Sequence, residues 1–309
     1  MYQCNKREKR LAHSLPFIFL FSIMLVFFGV FPAGSLAEYA EHHSSPHTEW
    51  VPDSYEIHLL LNSDLVLDED HLLKREILEK FHADDSYKTF SLAYYETLER
   101  DFFEEGWINR IRLKYEEDDE NDFKLTYKKR YAVPDGDLSS AILLAETEGF
   151  DFSEGTWEPQ IDWGYTGMTL SLSKETEVFA DTEETIADLE PAEGFAMMME
   201  NMPVEEQNWK SERWGINIFE SAELAGPIFF NRYKGVFFDR TVKIEIWEIH
   251  DERDDSIRFL SELSFEAEEY EEAATSRKKM MDTLLNLGIL LKVDSLKTQQ
   301  MLDAYLVSP

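Results

Sequence analysis

Between Ile108 and Tyr131 charged and apolar residues alternate, and this alternation limits what the chain can fold into more than any other feature. Successive side chains of a β-strand point to opposite faces. Over 108–115 Arg110, Arg112 and Lys114 therefore share one face, and Ile111, Leu113 and Tyr115 share the other. Over 122–131 Lys124, Thr126, Lys128 and Arg130 oppose Phe123, Leu125 and Tyr127. The intervening EEDDEND is polar and contains Asn and Asp, so an antiparallel hairpin is expected. That hairpin gathers seven cations in a chain whose formal net charge is −33.

Taken alone, such a hairpin is a sheet with its basic face in water. Later segments, however, repeat the pattern with the opposite sign. Glu262, Ser264, Glu266 and Glu268 alternate with Leu263, Phe265 and Ala267, and Lys243 and Glu245 alternate with Val242, Ile244 and Ile246. Apolar backs turned outward under helices and charged faces turned inward make a closed barrel with a polar lumen. Clustered cations in a lumen need facing carboxylates or a bound anion. Guanidinium forks and ammonium groups suit phosphate oxygens, and carboxylates opposite suit Mg2+ or Mn2+ bridging to phosphate.

Further strands are expected at 55–61, 89–97, 227–233, 235–249 and 258–268. Asp68 or Asp70 is expected to cap a helix running to about His82, and further helices fit 269–287 and 295–306. Residues 132–212 hold 20 acidic residues against Lys174 and Lys210. This acidic stretch reads as an insertion at about 140–210, with short helices broken by Pro191 and Gly194. Solubility explains its charge more simply than calcium binding, because no regularly spaced oxygen-ligand loop is visible.

Lys6, Arg7, Lys9 and Arg10 precede an apolar run from Leu15 to Phe31 and a small-x-small Ser35-Leu36-Ala37. Residues 1–37 are expected to be a cleaved export signal, with a retained anchor as the alternative, and 38–52 a flexible leader. The chain is then extracytoplasmic, secreted or periplasmic, with no stable membrane span after cleavage. Cys4, the sole cysteine, leaves with the signal, so neither disulfides nor thiol catalysis is expected in the remainder. His42, His43 and His47 of the leader could bind a transition metal. Glycine-rich phosphate loops are absent. Trp107, Tyr115 and Phe123 flank the basic hairpin, but strand packing accounts for them and the surrounding acid repels a polynucleotide, so no nucleic-acid partner is expected.

The segments YYETLERDFFEEGWINRIR and FKLTYKKR, with FLSELSFEAEEYEEA near the C-terminus, resemble the CYTH domain of the triphosphate tunnel metalloenzyme superfamily. The resemblance spans 54–131 and, more loosely, 228–290, and leaves the acidic middle uncovered. It implies an α+β fold, an eight-stranded antiparallel β-barrel forming a tunnel over 53–309. It also implies binding of triphosphate-containing compounds or inorganic polyphosphate and their hydrolysis with Mg2+ or Mn2+. Carried onto this sequence, Arg110, Arg112, Lys128 and Arg232 bind phosphate, while Glu56 and Glu262 hold metal and act in catalysis. Lys124 joins the phosphate set through its shared face with Lys128. Three positions depart from the family pattern. His58 replaces the second acid of the first strand, Leu60 replaces its lysine, and Ser264 replaces a late glutamate. Glu266, a further metal candidate, or Glu245 could compensate. His58 is either a transition-metal ligand or an ordinary lumen residue. Three classes of function stay open: a metal-dependent phosphoric anhydride hydrolase, a phosphate-binding module without turnover, and an acidic cell-surface interaction protein.

Overall fold

A computed structural model describes residues 52–114, 122–153, 155–179, 186–187, 189–294 and 297–307. The export signal expected over 1–37, the leader apart from Pro52, and the connection of the basic hairpin lie outside these residues. Among the described residues no helix is long and apolar enough to cross a membrane.

Nine strands close into a barrel: β1 (Ser54–Leu61), β2 (Lys88–Glu96), β3 (Trp107–Lys114), β4 (Asp122–Val133), β5 (Glu158–Trp163), β6 (Met168–Phe179), β7 (Glu223–Phe237), β8 (Arg240–Asp251) and β9 (Ser256–Ala267). Around the barrel the order is β1-β5-β6-β4-β3-β2-β7-β8-β9, returning to β1. The expected eight antiparallel strands are corrected to nine, with β1 and β5 running parallel and the other neighbours antiparallel. The physical reason lies in the acidic stretch. Its EPQIDW and MTLSLSKETEVF alternate as strands do and enter the wall as β5 and β6, so the segment at 140–210 is not an insertion beside the barrel.

The basic hairpin pairs as expected, with Arg110 opposite Thr126 and Arg112 opposite Lys124. Its apolar backs are buried, Ile111 and Leu125 completely, and helices cover them. In chain order these are α1 (Ser63–Val66), α2 (Arg75–Lys80), α3 (Asp101–Glu104), α4 (Leu138–Thr147), α5 (Pro191–Asn201), α6 (Val204–Gln207), α7 (Trp214–Phe219), α8 (Tyr270–Asn286) and α9 (Lys297–Tyr305). Tyr127 on β4 donates its hydroxyl to the Met198 carbonyl of α5 at 2.5 Å. On the far side Tyr270 of α8 stacks on Trp163 and meets the edge of Tyr55, fixing α8 over β1 and β5.

Several local expectations shift. The helix expected from Asp68 or Asp70 begins only at Arg75, because Asp68 Oδ1 accepts from the amides of Asp70 and Leu72 and forms a turn instead. Pro191 starts α5 rather than breaking it, as a first-turn proline can. The strand break expected at Lys234 falls at Phe238 and Asp239, both with positive φ. Within β7, position 235 admits only glycine, because the Phe81 carbonyl passes where a Cβ would stand.

Candidate functional site

Inward-facing side chains of the barrel surround a cavity of about 640 Å³, and the charges on them are sorted by sign. β3 and β4 carry the cationic wall. Arg110 donates to Thr126 Oγ1 at 3.2 Å and lies 4.0 Å from Glu175 of β6. Among the described residues no carboxylate comes within 4 Å of the Arg112 guanidinium, which instead lies over the Phe90 ring. Burial, and then its neighbours Arg110 and Arg232, bring Arg112 down to about 10, so it stays charged at neutral pH while crowded by like charge. The Nε groups of Arg110 and Arg130 are buried with no hydrogen-bond partner among the described residues. Arg232 of β7 stacks on Phe90 at 4.5 Å and is held by Glu245 Oε1 at 2.7 and 2.8 Å. Lys128, also lowered by burial, reaches Asp162 of β5 at 3.7 Å.

The carboxylate end centres on His58 of β1. Its Nε2 lies 3.3 Å from Glu56 and 3.8 Å from Asp162, and its Nδ1 lies 3.1 Å from Glu262 of β9. Burial alone would lower the imidazole, but Glu56 and Glu262 together raise it well above its usual value, so the ring is cationic at neutral pH. The same contacts hold Glu56 at about 2 despite burial. Asp162 is pulled well down, burial opposing and Lys128 and His58 favouring its charged form. One Asp162 oxygen accepts from Ser171 at 2.6 Å, whereas the oxygen facing His58, Oδ1, is buried and accepts no hydrogen bond from the described residues. Lys297 of α9 adds a second cation, 2.5 Å from Glu262 and 3.3 Å from Glu245, with Trp247 beneath its ammonium at 4.7 Å.

The expected residues divide accordingly. Glu56 and Glu262 face each other across the His58 ring rather than as a bare pair. Arg110, Arg112, Lys128 and Arg232 line the cavity together. Glu266 lines its more exposed part and is tied to Lys243, which also reaches Glu56 at 3.8 Å. Lys124 shares their face but is partly exposed and bound by Glu175 at 2.7 Å, outside the cavity lining. Asp162, Glu175 and Lys297 were not anticipated. The alternation of Pro159, Ile161 and Trp163 with Gln160 and Asp162 is the signal that would have revealed Asp162. For Lys297, opening a short helix, no local signal exists.

A divalent cation here meets a mixed donor set. Ligand atoms of Glu56, His58 and Asp162 lie within 4.8 Å of one another, and Asp162 Oδ1, whose nearest cationic neighbour among the described residues is His58 at 3.8 Å, is one that a divalent cation would satisfy.

No protein-family model matches the chain, and no curated protein matches it. Among solved structures, the chain is similar to a Hippeastrum protein named as an adenylyl cyclase and credited with a dominant triphosphatase activity. That match has 14% identity, covers 80% of this chain and 93% of the other, and has a TM-score of 0.48. A Bacillus halodurans protein named as an adenylate cyclase has 11% identity over 75% and 89% of the two chains, TM-score 0.41. A Pyrococcus horikoshii protein has 16% identity over 79% and 98%, TM-score 0.39.

Proposed function

We propose that the barrel is a tunnel site for a triphosphate-containing compound or inorganic polyphosphate, of the CYTH kind, in an extracytoplasmic protein. The observation that carries this reading is the group of inward guanidinium ions, Arg110, Arg112 and Arg232. Among the described residues Arg112 has no carboxylate within 4 Å, Glu175 and Glu245 acting on it only from further off, and Arg110 Nε has no hydrogen-bond partner. Buried like charges so placed are relieved by an anion that accepts from several forks at once, which a phosphate chain does and a single carboxylate does not. Lys128, further along the same face of β4, extends the cationic line toward His58.

For hydrolysis, Glu56, His58 and Asp162 would hold a divalent metal, which when bound supplies Lewis acidity and an activated water. The protein's own part is positional. Arg110, Arg112 and Arg232 fix the phosphate chain, Lys128 neutralises the oxygens nearest the carboxylates, and the barrel wall limits access of water. Binding without turnover is a second reading, favoured by Lys297 and His58, which already neutralise Glu262 and Glu245.

Thermal unfolding with tripolyphosphate, in EDTA and then with Mg2+ or Mn2+, tests binding, and phosphate release under the same conditions tests turnover. A ligand at 100 times its Kd stabilises by about 2.7 kcal/mol. The wild-type melting temperature is expected to rise and Arg112→Ala to abolish the rise. An equal rise in both proteins removes these arginines from the site.

A further inference from the structure

The donor set at the carboxylate end differs from an all-oxygen one, and the difference is specific. We infer that Glu56, His58 Nε2 and Asp162 Oδ1 form a site for a first-row transition metal, selective against Mg2+, with Glu262 orienting the histidine from outside. This rests on the tunnel reading above only in making the metal a neighbour of bound phosphate. The site itself stands on four observations.

First, the three ligand atoms converge. Nε2 lies 3.3 Å from Glu56 and 3.8 Å from Asp162, near the separations of atoms sharing one ion at about 2.1 Å. Second, the other ring nitrogen is committed. Nδ1 lies 3.1 Å from Glu262 Oε1, the carboxylate–histidine pairing that keeps the proton on Nδ1, so that the proton displaced by a metal is the one on Nε2. Third, Asp162 uses its other oxygen for Ser171 and Lys128, leaving Oδ1 buried with no hydrogen bond and turned to the histidine. Fourth, Lys297 contacts Glu262 and Glu245, while the cations paired with the inner carboxylates, Lys243 with Glu56 and Lys128 and Arg130 with Asp162, hold Glu56 Oε1 and Asp162 Oδ2 and leave the oxygens that face His58 to the metal.

The chemistry then chooses the ion. Mg2+ demands near-octahedral oxygen coordination and gives up water reluctantly, so an imidazole in its shell is a poor donor. Imidazole suits zinc, iron, nickel and copper, and affinity rises along the series from manganese toward copper. On binding, Nε2 gives its proton to solvent and its lone pair to the metal, while Nδ1–H stays on Glu262.

The test is equilibrium metal binding by the purified full chain, using Zn2+, Mn2+ and Mg2+ in competition with a chromophoric chelator. The visible spectrum of bound Co2+ gives an independent readout. A companion series carrying His42→Ala, His43→Ala and His47→Ala removes binding by the leader histidines. Zn2+ is expected to bind at least about 100-fold more tightly than Mg2+. His58→Ala should lose that preference and the Co2+ spectrum, Asp162→Asn should weaken Zn2+ at least about 10-fold, and Glu262→Gln should weaken it about 10–100-fold. Equal Zn2+ and Mg2+ affinity, or Zn2+ binding unchanged by His58→Ala in the companion background, overturns the inference. Failure here is separable from failure of the phosphate reading: tripolyphosphate stabilisation in EDTA survives His58→Ala and is lost in Arg112→Ala if only the metal assignment is wrong.

Discussion

A buried acid outside the tunnel gives the sharpest pH prediction. Glu206 of α6 is fully buried against the outer face of β3, where Asn109 Nδ2 donates to its Oε1 at 2.7 Å. Glu206 Oε2 and Asn109 Oδ1, the remaining oxygens of the same two side chains, are both buried without hydrogen-bond partners among the described residues. A proton on the carboxyl makes it a donor, and an acid and an amide can then satisfy each other doubly. Burial first, and then nearby Glu96, push Glu206 up to about 8 from 4.5, against the lowering effect of Asn109. Between pH 4.5 and 8 the folded chain therefore keeps a proton that the unfolded chain releases, and stability falls as pH rises through that window. The contribution is whole below 4.5 and lost above 8. At 1.36 kcal/mol for each pH unit it amounts to about 5 kcal/mol in order of magnitude. Glu96, raised to about 7 by burial in spite of amide donors from Thr97, Phe102 and Phe103, acts in the same direction over a narrower window.

Glu206→Gln keeps the shape, stays neutral at every pH and offers Asn109 Oδ1 a permanent donor. At pH 8.5 the variant is expected to melt roughly 10–20 °C above wild type, since each kcal/mol moves Tm by about 2–4 °C at this size. At pH 4.5 the two should nearly coincide. The slope that remains in the variant belongs to Glu96 and, above pH 6.5, to His58, which Glu56 and Glu262 hold in its charged form. Melting curves recorded by circular dichroism every half unit from pH 4.5 to 8.5 measure the difference. If the two Tm profiles run parallel across that range, the buried acid is not what couples this fold to pH.

Below pH 4.5 the sign reverses: Glu56, held near 2 with burial opposed by His58, loses its stabilising charge, so acid unfolding of wild type should steepen there and be blunted in Glu56→Gln. Lys297→Met leaves Glu262 and Glu245 with less neutralising charge and is expected to cost about 3–5 kcal/mol in urea unfolding at pH 7; a loss under about 1 kcal/mol contradicts its role as internal counter-ion. Gly235→Ala drives a Cβ onto the Phe81 carbonyl and should cost about 2–3 kcal/mol, measured the same way, with no change at all refuting the close approach. Residues 1–37 fused to an alkaline phosphatase that is active only outside the cytoplasm should yield activity and a cleaved product, and an inactive, uncleaved fusion would remove the export signal.

What the sequence made legible is sidedness, because a strand's period of two is local: Arg110 and Arg112 can be assigned to one face without knowing which strand lies beside them. Adjacency is not local. That β5 runs parallel to β1, bringing Asp162 to His58 across more than a hundred residues of chain, depends on the closure of the whole barrel. Lys297 reaches Glu262 only because α9 returns to the barrel end. Charge balance, however, did carry a signal. The hairpin sequence alone commits Arg110, Arg112, Lys114, Lys124, Lys128 and Arg130 to one face, more cations than Glu56, Glu245 and Glu262 can offset. A closed lumen with that excess needs more acid inside it. The acidic middle, set aside as a solvated insertion, is the remaining concentrated source of carboxylates, and Asp162 and Glu175 come from it. Even with them, Arg112 has no carboxylate within 4 Å among the described residues, Glu175 and Glu245 acting on it from further off, and its guanidinium is the one that the proposed phosphate would meet.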